Sequence, residues 1–193
     1  MQLVRHIEDS MVNRSKRLEA QMNASVKVRP EEPSDRDAVW NVHYHAFGGT
    51  AEADLVNALR EDGSAAISLI AEVDGEVVGH IMFSEVTIHT DKLAIESLSL
   101  APMAVLPTLQ RQGIGSALIA AGLEECRKLS HRSVVVLGHP EFYRRFGFSS
   151  ALASSLKCPF GHGKAWMALE LLPQALEGIN GRVQYSTPFE MFG

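Results

Sequence analysis

The sequence predicts a mixed α/β domain, a mixed sheet with helices on its faces, and three features carry that reading. Two β-rich runs, Ile67 to Val73 and Glu76 to Ile88, are joined by Asp74-Gly75, a pair suited to the positive φ angles of a two-residue hairpin turn. An amphipathic run from Ile114 to Ser130 is followed by Ser133 to Leu137, three valines and a leucine, as expected of a buried strand parallel to its predecessor across a helix. The order is strand, two helices, three strands, helix, strand, short helix and further strands, which is not a regular doubly wound repeat.

Val26 to Arg29 alternates apolar and charged residues as a short strand does, and Pro30 and Pro33 end it. Ser34 or Asp35 then suits an N-cap, with Val39, Val42, Ala46 and Phe47 on one helical face. Gly48-Gly49-Thr50 breaks that helix. A second runs from Glu52 to Arg60, with Leu55, Val56 and Leu59 as its apolar stripe, and stops at Asp62-Gly63. After the hairpin, Glu96 to Val105 is a further strand closed by Pro107, and Leu118, Gly122, Cys126 and Leu129 line one face of the helix that follows. A short helix is expected over Glu141 to Phe146, with Pro140 in its first turn, Arg144 and Arg145 at its C-terminal end, and Gly147 as the left-handed residue after it. Ala165 to Leu172 and Arg182 to Tyr185 complete the strands, after a loop rich in glycine and serine from Ser149 to Lys164.

Residues 1–25 read as an N-terminal helical extension, in which Leu3, Ile7, Met11, Leu18 and Met22 fall on one face, or as a non-native start upstream of initiation at Met22. Residues 26–193 form the expected domain. Hydrophobic residues make up 46% of the 193 positions and charged residues 21%, which argues against disorder. A net charge of −5 disfavours affinity for nucleic acid backbones. Neither a membrane span nor a signal-peptide apolar segment is found, so the expected address is the cytoplasm, with no membrane partner. Cys126 and Cys158 are too few for a disulfide framework.

Chemistry concentrates in the stretch from Met103 to Leu118, where a strand runs into a turn with glycines at 113 and 115 and a helix begins. Free N–H groups at a helix start, reached through glycines, suit a phosphate or pyrophosphate. Leu118 stands where a dinucleotide fingerprint needs its third glycine, and Gly161-His162-Gly163-Lys164 lacks the upstream glycine of a P-loop.

Met103-Ala104-Val105-Leu106-Pro107 followed by Gln110-Arg111-Gln112-Gly113-Ile114-Gly115-Ser116-Ala117-Leu118 resembles the acetyl-CoA signature of the GNAT superfamily of N-acetyltransferases. Phe142-Tyr143-Arg144-Arg145-Phe146-Gly147-Phe148 is similar to that family's Phe-Tyr-x-x-x-Gly-Phe ending. The resemblance covers the chain from about Val26 onward and implies a GNAT-type acyltransferase fold, with a central, mostly antiparallel sheet flanked by helices. It also implies that the backbone of Met103, Ala104 and Val105 pairs with the pantetheine arm of acetyl-CoA, and that the N–H groups of Arg111, Gln112, Gly113, Ile114, Gly115 and Ser116 hold the pyrophosphate. The cosubstrate that the resemblance implies is acetyl-CoA, and no metal is expected. Many members carry an Asn and an Ala shortly before the Phe-Tyr pair; Leu137-Gly138-His139-Pro140-Glu141 stands here instead.

The implied reaction is attack of an amine, borne by a small molecule or a protein, on the thioester. Tyr143 is the candidate general acid, since a phenol with a reference pKa of about 10 can protonate a thiolate whose reference is about 8.5. Phe142 and Phe146 are expected in the core, with Tyr143 turned roughly 100° away. Glu96 is the candidate base, although a bulge in its strand would invert which face it occupies. His43 and His45 are candidates for the border of the acceptor pocket, or structural histidines. Cys126 is expected in the core, and Cys158 with His162 is too small a set for a metal site. A Phe at 143 would have favoured a non-catalytic acetyl-CoA sensor, the alternative function. An exposed sheet edge or the first helix offers a surface for a homodimer.

Overall fold

The computed structural model describes residues 26–192, so the helical extension expected before Val26 lies outside the described residues. Strand β1 (Lys27–Pro30) leads through a 3-10 turn at Pro33–Asp35 into α1 (Arg36–Phe47) and α2 (Ala51–Asp62). Both helices stop where the sequence places glycine, with Gly48 and Gly63 left-handed after the last turn. Then follow β2 (Ala65–Val73), β3 (Glu76–His89), β4 (Ala94–Val105), α3 (Ile114–Lys128) and β5 (Ser133–Leu137). A single turn, α4 (Pro140–Tyr143), tightens into a 3-10 turn at Arg144–Phe146, ahead of β6 (Leu156–Lys157), β7 (Trp166–Glu170), β8 (Gly181–Tyr185) and a 3-10 segment at Thr187–Phe192.

The sheet order is β1-β2-β3-β4-β5-β7, antiparallel except for the parallel pair β4 and β5. The hairpin is where the sequence puts it: Asp74 has φ 52° and Gly75 φ 84°, between paired Val73 and Glu76. The loop from Ser149 to Lys164 holds more order than its composition suggests, since β6 lies in it and pairs in parallel with β8. In turn β8 lies against the second half of β3, from Val86 to His89.

Two cores sandwich the sheet. Under α3 lie Ile81, Phe83, Leu98, Leu100, Leu118, Ile119, Val134 and Val136. On the other face α1 and α2 bury Val39, Leu55, Leu59, Ile70 and Met82, while Val86, Ile88, Val135, Trp166 and Val183 form a neighbouring cluster. Alternate valines of β5 serve opposite faces, so a strand buried on both sides needs the continuous run that the sequence shows.

The ladder between β4 and β5 is short. Pairing is confined to Leu98 with Val134 and Ser99 with Val135, after which β4 continues to Val105 and β5 to Leu137 without pairing to each other. On its other side β4 stays joined to β3, but Ile81 pairs Met103 while Phe83 pairs Leu100, so β4 carries one extra residue at Ala101-Pro102. A proline cannot donate to a ladder, and a bulge bends its strand and switches its faces. Leu98 and Leu100 therefore share the α3 face with Met103 and Val105 despite their different parity. The sheet opens into a cleft between the C-terminal halves of β4 and β5.

Candidate active site

The edge of β4 faces that cleft with free backbone groups. The Leu106 N–H donates to Val78 C=O across the pair with β3 at 2.9 Å. Antiparallel alternation then turns the amides of Ala104 toward β3 and those of Met103 and Val105 toward the cleft. The Gln110 side-chain amide donates to Val105 C=O at 3.0 Å, which ties the following loop to the strand and leaves the Val105 N–H open.

The start of α3 stands beside this edge. Gly113 precedes the helix at φ 91° and Arg111 is also left-handed at φ 63°, so the turn needs residues that tolerate this region. Within the helix, Ala117 N–H bonds Gly113 C=O at 3.0 Å, so the N–H groups of Ile114, Gly115 and Ser116 have no intrahelical acceptor, and no described side chain caps them. Aligned peptide dipoles add roughly half a positive charge there. Gly79 permits the approach, because a Cβ on it would stand 3.1 Å from Leu118 and 3.2 Å from Ile114. Gly115 lies close to Met103, Val105 and Phe142, with 3.9, 3.8 and 3.4 Å from an ideal Cβ to their nearest atoms. Met103, Ala104, Val105, Ile114, Gly115 and Ser116 are thus brought together, while Arg111 and Gln112 are exposed on the turn, the latter bonded to Thr108 C=O.

The sequence marks Arg145 only as a favourable charge at the end of its own helix. Its Nη2 donates instead to Ser116 Oγ at 2.8 Å, on the first turn of α3, and its guanidinium lies 5.4 Å and 5.6 Å from the ring centroids of Phe142 and Phe146. The signal was present as a basic residue between aromatics four apart, but only the fold shows which helix end it meets.

Tyr143 is more deeply placed than its helical spacing suggests. It belongs to the α3-side core with Val105 and Ile114, while Phe142 and Phe146 are half-buried at its rim. The reason is local: α4 is one turn long and continues as 3-10, so the 100° step of an α-helix does not hold. The ring packs on Phe148 and on Gly138, where a Cβ would clash at 2.4 Å. Burial pushes the phenol up to about 12, which keeps it a proton donor at neutral pH.

The other candidates are scattered. Glu96 is exposed, opposite Thr87 and N-terminal to the short β4–β5 ladder. His139 is exposed ahead of α4. His45 is exposed and bonds Asn41 C=O, whereas His43 is fully buried and bonds His80. Cys126 is in the core, its thiol pushed up to about 12 by burial, and Cys158 lies 3.9 Å from the Tyr185 hydroxyl. Among the described residues, no three His, Cys, Asp or Glu side chains converge as a metal site would require, and no helix is long and apolar enough to cross a membrane.

An open cleft in a splayed sheet, strand amides on one lip and an uncapped helix start beside it, is the architecture of an acyl-CoA-dependent transferase. Residues 64–150 match the acetyltransferase (GNAT) domain. The chain is 35% identical over 167 residues to the uncharacterized N-acetyltransferase YhbS of Escherichia coli K12, covering 86% of this chain and 99% of that protein. It is 36% identical over 164 residues to YjhQ of the same strain, also an uncharacterized N-acetyltransferase, covering 81% and 90%. Crystal structures agree. The YhbS structure in complex with CoA superposes with TM-score 0.80 at 32% identity over 88% of this chain and 94% of that one. A GNAT family acetyltransferase from Brucella melitensis in complex with acetyl-CoA gives 0.72 at 32% over 86% and 99%. The chain belongs to the GNAT family of acetyltransferases.

Proposed function

We propose that this protein transfers the acetyl group of acetyl-CoA to a primary amine by direct attack on the thioester. The observation that carries the reading is the cleft between β4 and β5, with the Met103 and Val105 amides facing it and the uncapped N–H groups of Ile114, Gly115 and Ser116 beside it. The chemistry of the cosubstrate matches this division: an amide-bearing arm pairs with a strand edge, and an anion takes a helix start. Relatives of similar fold crystallised with CoA and acetyl-CoA support it. Arg145, held by Ser116 and two aromatic rings, supplies a fixed cation for the phosphates.

In this proposal the amine nitrogen forms a bond to the thioester carbon, a strand amide at Val105 stabilises the oxygen that becomes negative, and the C–S bond breaks. Tyr143 gives its proton to the departing thiolate. The attacking nitrogen must also lose a proton, and Glu96 is one candidate acceptor. Its exposure and its place beyond the β4–β5 ladder mean that it would act through ordered water.

Thiol release from acetyl-CoA across a panel of phenylethylamine, spermidine and an alanine-terminated peptide tests the reading, with mass spectrometry of the amine. Thiol release matched by acetylated amine is expected. Binding of acetyl-CoA without thiol release on any acceptor would identify a sensor instead.

A further inference from the structure

A chain of buried polar side chains runs from β1 to α1 on the sheet face opposite α3. Arg60 of α2 forms an ion pair with Glu31, and the Ser68 hydroxyl of β2 donates to the other oxygen of the same carboxylate. Ser68 Oγ lies 2.8 Å from Nε2 of His80, which stands 3.6 Å from that carboxylate oxygen, and His80 Nδ1 lies 2.8 Å from Nε2 of His43. Both histidines are fully buried.

The protons in this chain can be assigned. Ser68 has one hydroxyl proton and gives it to Glu31, so its oxygen must accept from His80, which therefore carries its proton on Nε2. His80 Nδ1 is then an acceptor, and His43 must donate to it from its own Nε2. That leaves His43 Nδ1 with an unprotonated lone pair, and this atom is buried without a partner. A buried unpaired acceptor costs about 1–3 kcal/mol, so it calls for an explanation.

Its location supplies one. His80 pairs across the ladder with Ala104, the residue between the two cleft-facing amides, and α1 packs over β3 and β4 at this point. The Phe47 ring stacks parallel to His43 at 6.0 Å and is itself 50% exposed, so His43 lies directly beneath a half-exposed side chain. The titratable and polar groups shown facing the pair are Glu31 from the turn after β1, Ser68 from β2 and Arg60 from α2, with Arg36 of α1 near Arg60, and Ala104 is the β4 partner of His80 across the ladder.

Resting on the acetyltransferase reading above, we propose that His43 is the proton acceptor of the reaction and that His80 and Glu31 form a relay behind it. The amine enters the desolvated site uncharged and attacks the thioester carbon, leaving a positively charged nitrogen on the tetrahedral intermediate. That nitrogen gives a proton to His43 Nδ1 as the His43 Nε2 proton passes to His80 Nδ1. The positive charge then rests on His80 beside the Glu31 carboxylate. The C–S bond breaks and the thiolate takes the Tyr143 proton; the His80 Nδ1 proton then returns to His43 Nε2 as His43 Nδ1 releases its proton to solvent, and solvent reprotonates Tyr143. Burial keeps both histidines neutral between turnovers, and Glu31 partly offsets that effect at His80.

The test uses the full chain, acetyl-CoA and the amine of the panel that wild type turns over fastest. His43→Phe preserves the stack on Phe47 and should lower kcat by about tenfold or more, with the acetyl-CoA KM within about twofold of wild type. Ser68→Ala, a smaller change, should move the acid limb of the kcat profile to lower pH by about half a unit, because His80 loses the hydroxyl that bridges it to Glu31 and keeps only the 3.6 Å contact with that carboxylate. A merely structural role would lower kcat in both variants and leave the limb in place, which would overturn the relay. Long-range proton–nitrogen spectra of wild type should show both histidines protonated at Nε2; a proton on His43 Nδ1 would overturn the assignment without reference to activity. Turnover retained by His43→Phe refutes the relay alone, whereas no turnover by wild type on any amine refutes the transferase reading and the relay with it.

Discussion

The buried histidine pair makes stability depend on pH below the ordinary histidine value of about 6.5. Burial, with smaller effects from His80 and Arg60, pushes His43 down to about 2, and burial lowers His80 as well. Above the unfolded value of about 6.5 neither state binds a proton at these sites, so stability is level. Below it the unfolded chain takes up protons that the folded protein refuses, and stability falls as pH falls. Each unit costs about 1.36 kcal/mol per histidine, so between about pH 6.5 and pH 5 His43 alone removes about 2 kcal/mol, with His80 adding in the same direction. Carboxylates act lower on the scale. Asp35 is held below its usual range by the hydrogen bond from Arg29, and Glu31 by His80 and Ser68 against the opposing effect of burial; their contributions fade below about pH 4. Urea unfolding followed by tryptophan fluorescence at intervals from pH 7.5 to pH 5 reads the slope, with His43→Phe as the control. Wild type should lose about 2 kcal/mol more than the variant across that interval. Parallel curves, or a wild-type curve that is flat, would refute the assignment of a buried neutral His43.

Three further outcomes follow from the site. Tyr143→Phe should lower turnover at least about tenfold while acetyl-CoA affinity measured by calorimetry stays similar, and unchanged turnover would remove Tyr143 as the acid. Arg145→Gln should weaken acetyl-CoA binding by about tenfold through loss of a charge-assisted contact, and should spare kcat at saturation; an unchanged Kd would place the phosphates elsewhere. Glu96→Gln should retain turnover to within about twofold if His43 takes the proton, and a loss like that of His43→Phe, with an altered acid limb, would return the base to Glu96.

What could be read from sequence depended on whether the determinant was local. The Asp74-Gly75 turn, the helix stops at Gly48 and Gly63, and the valine run of β5 are each dictated by residues within a few positions of one another, and the structure places them as expected. Met103 to Val105 and Ile114 to Ser116 stand out in the sequence as candidate contacts for the same reason, since one strand–turn–helix unit carries them all. Features that depend on distant pairing were not legible. The Ala101-Pro102 bulge moves Met103 and Val105 to the face of Leu98 and Leu100, and simple alternation along β4 gives the wrong side. His43 and His80 are 37 residues apart, and Ser68 and Glu31 a further 37, so no spacing rule joins them. His80 also sits in a run of buried residues on β3 whose composition reads as plain core. Tyr143 went deeper than expected because α4 tightens into 3-10 geometry after one turn.

The opening between β4 and β5 is the proposed acetyl-CoA site. A crystal structure of the protein with acetyl-CoA tests it most directly. The expected result is the pantetheine arm within hydrogen-bonding distance of the Val105 N–H, the pyrophosphate on the N–H groups of Ile114, Gly115 and Ser116, and the thioester sulfur within reach of Tyr143. Acetyl-CoA bound on another face, with the cleft between β4 and β5 left open, would contradict it.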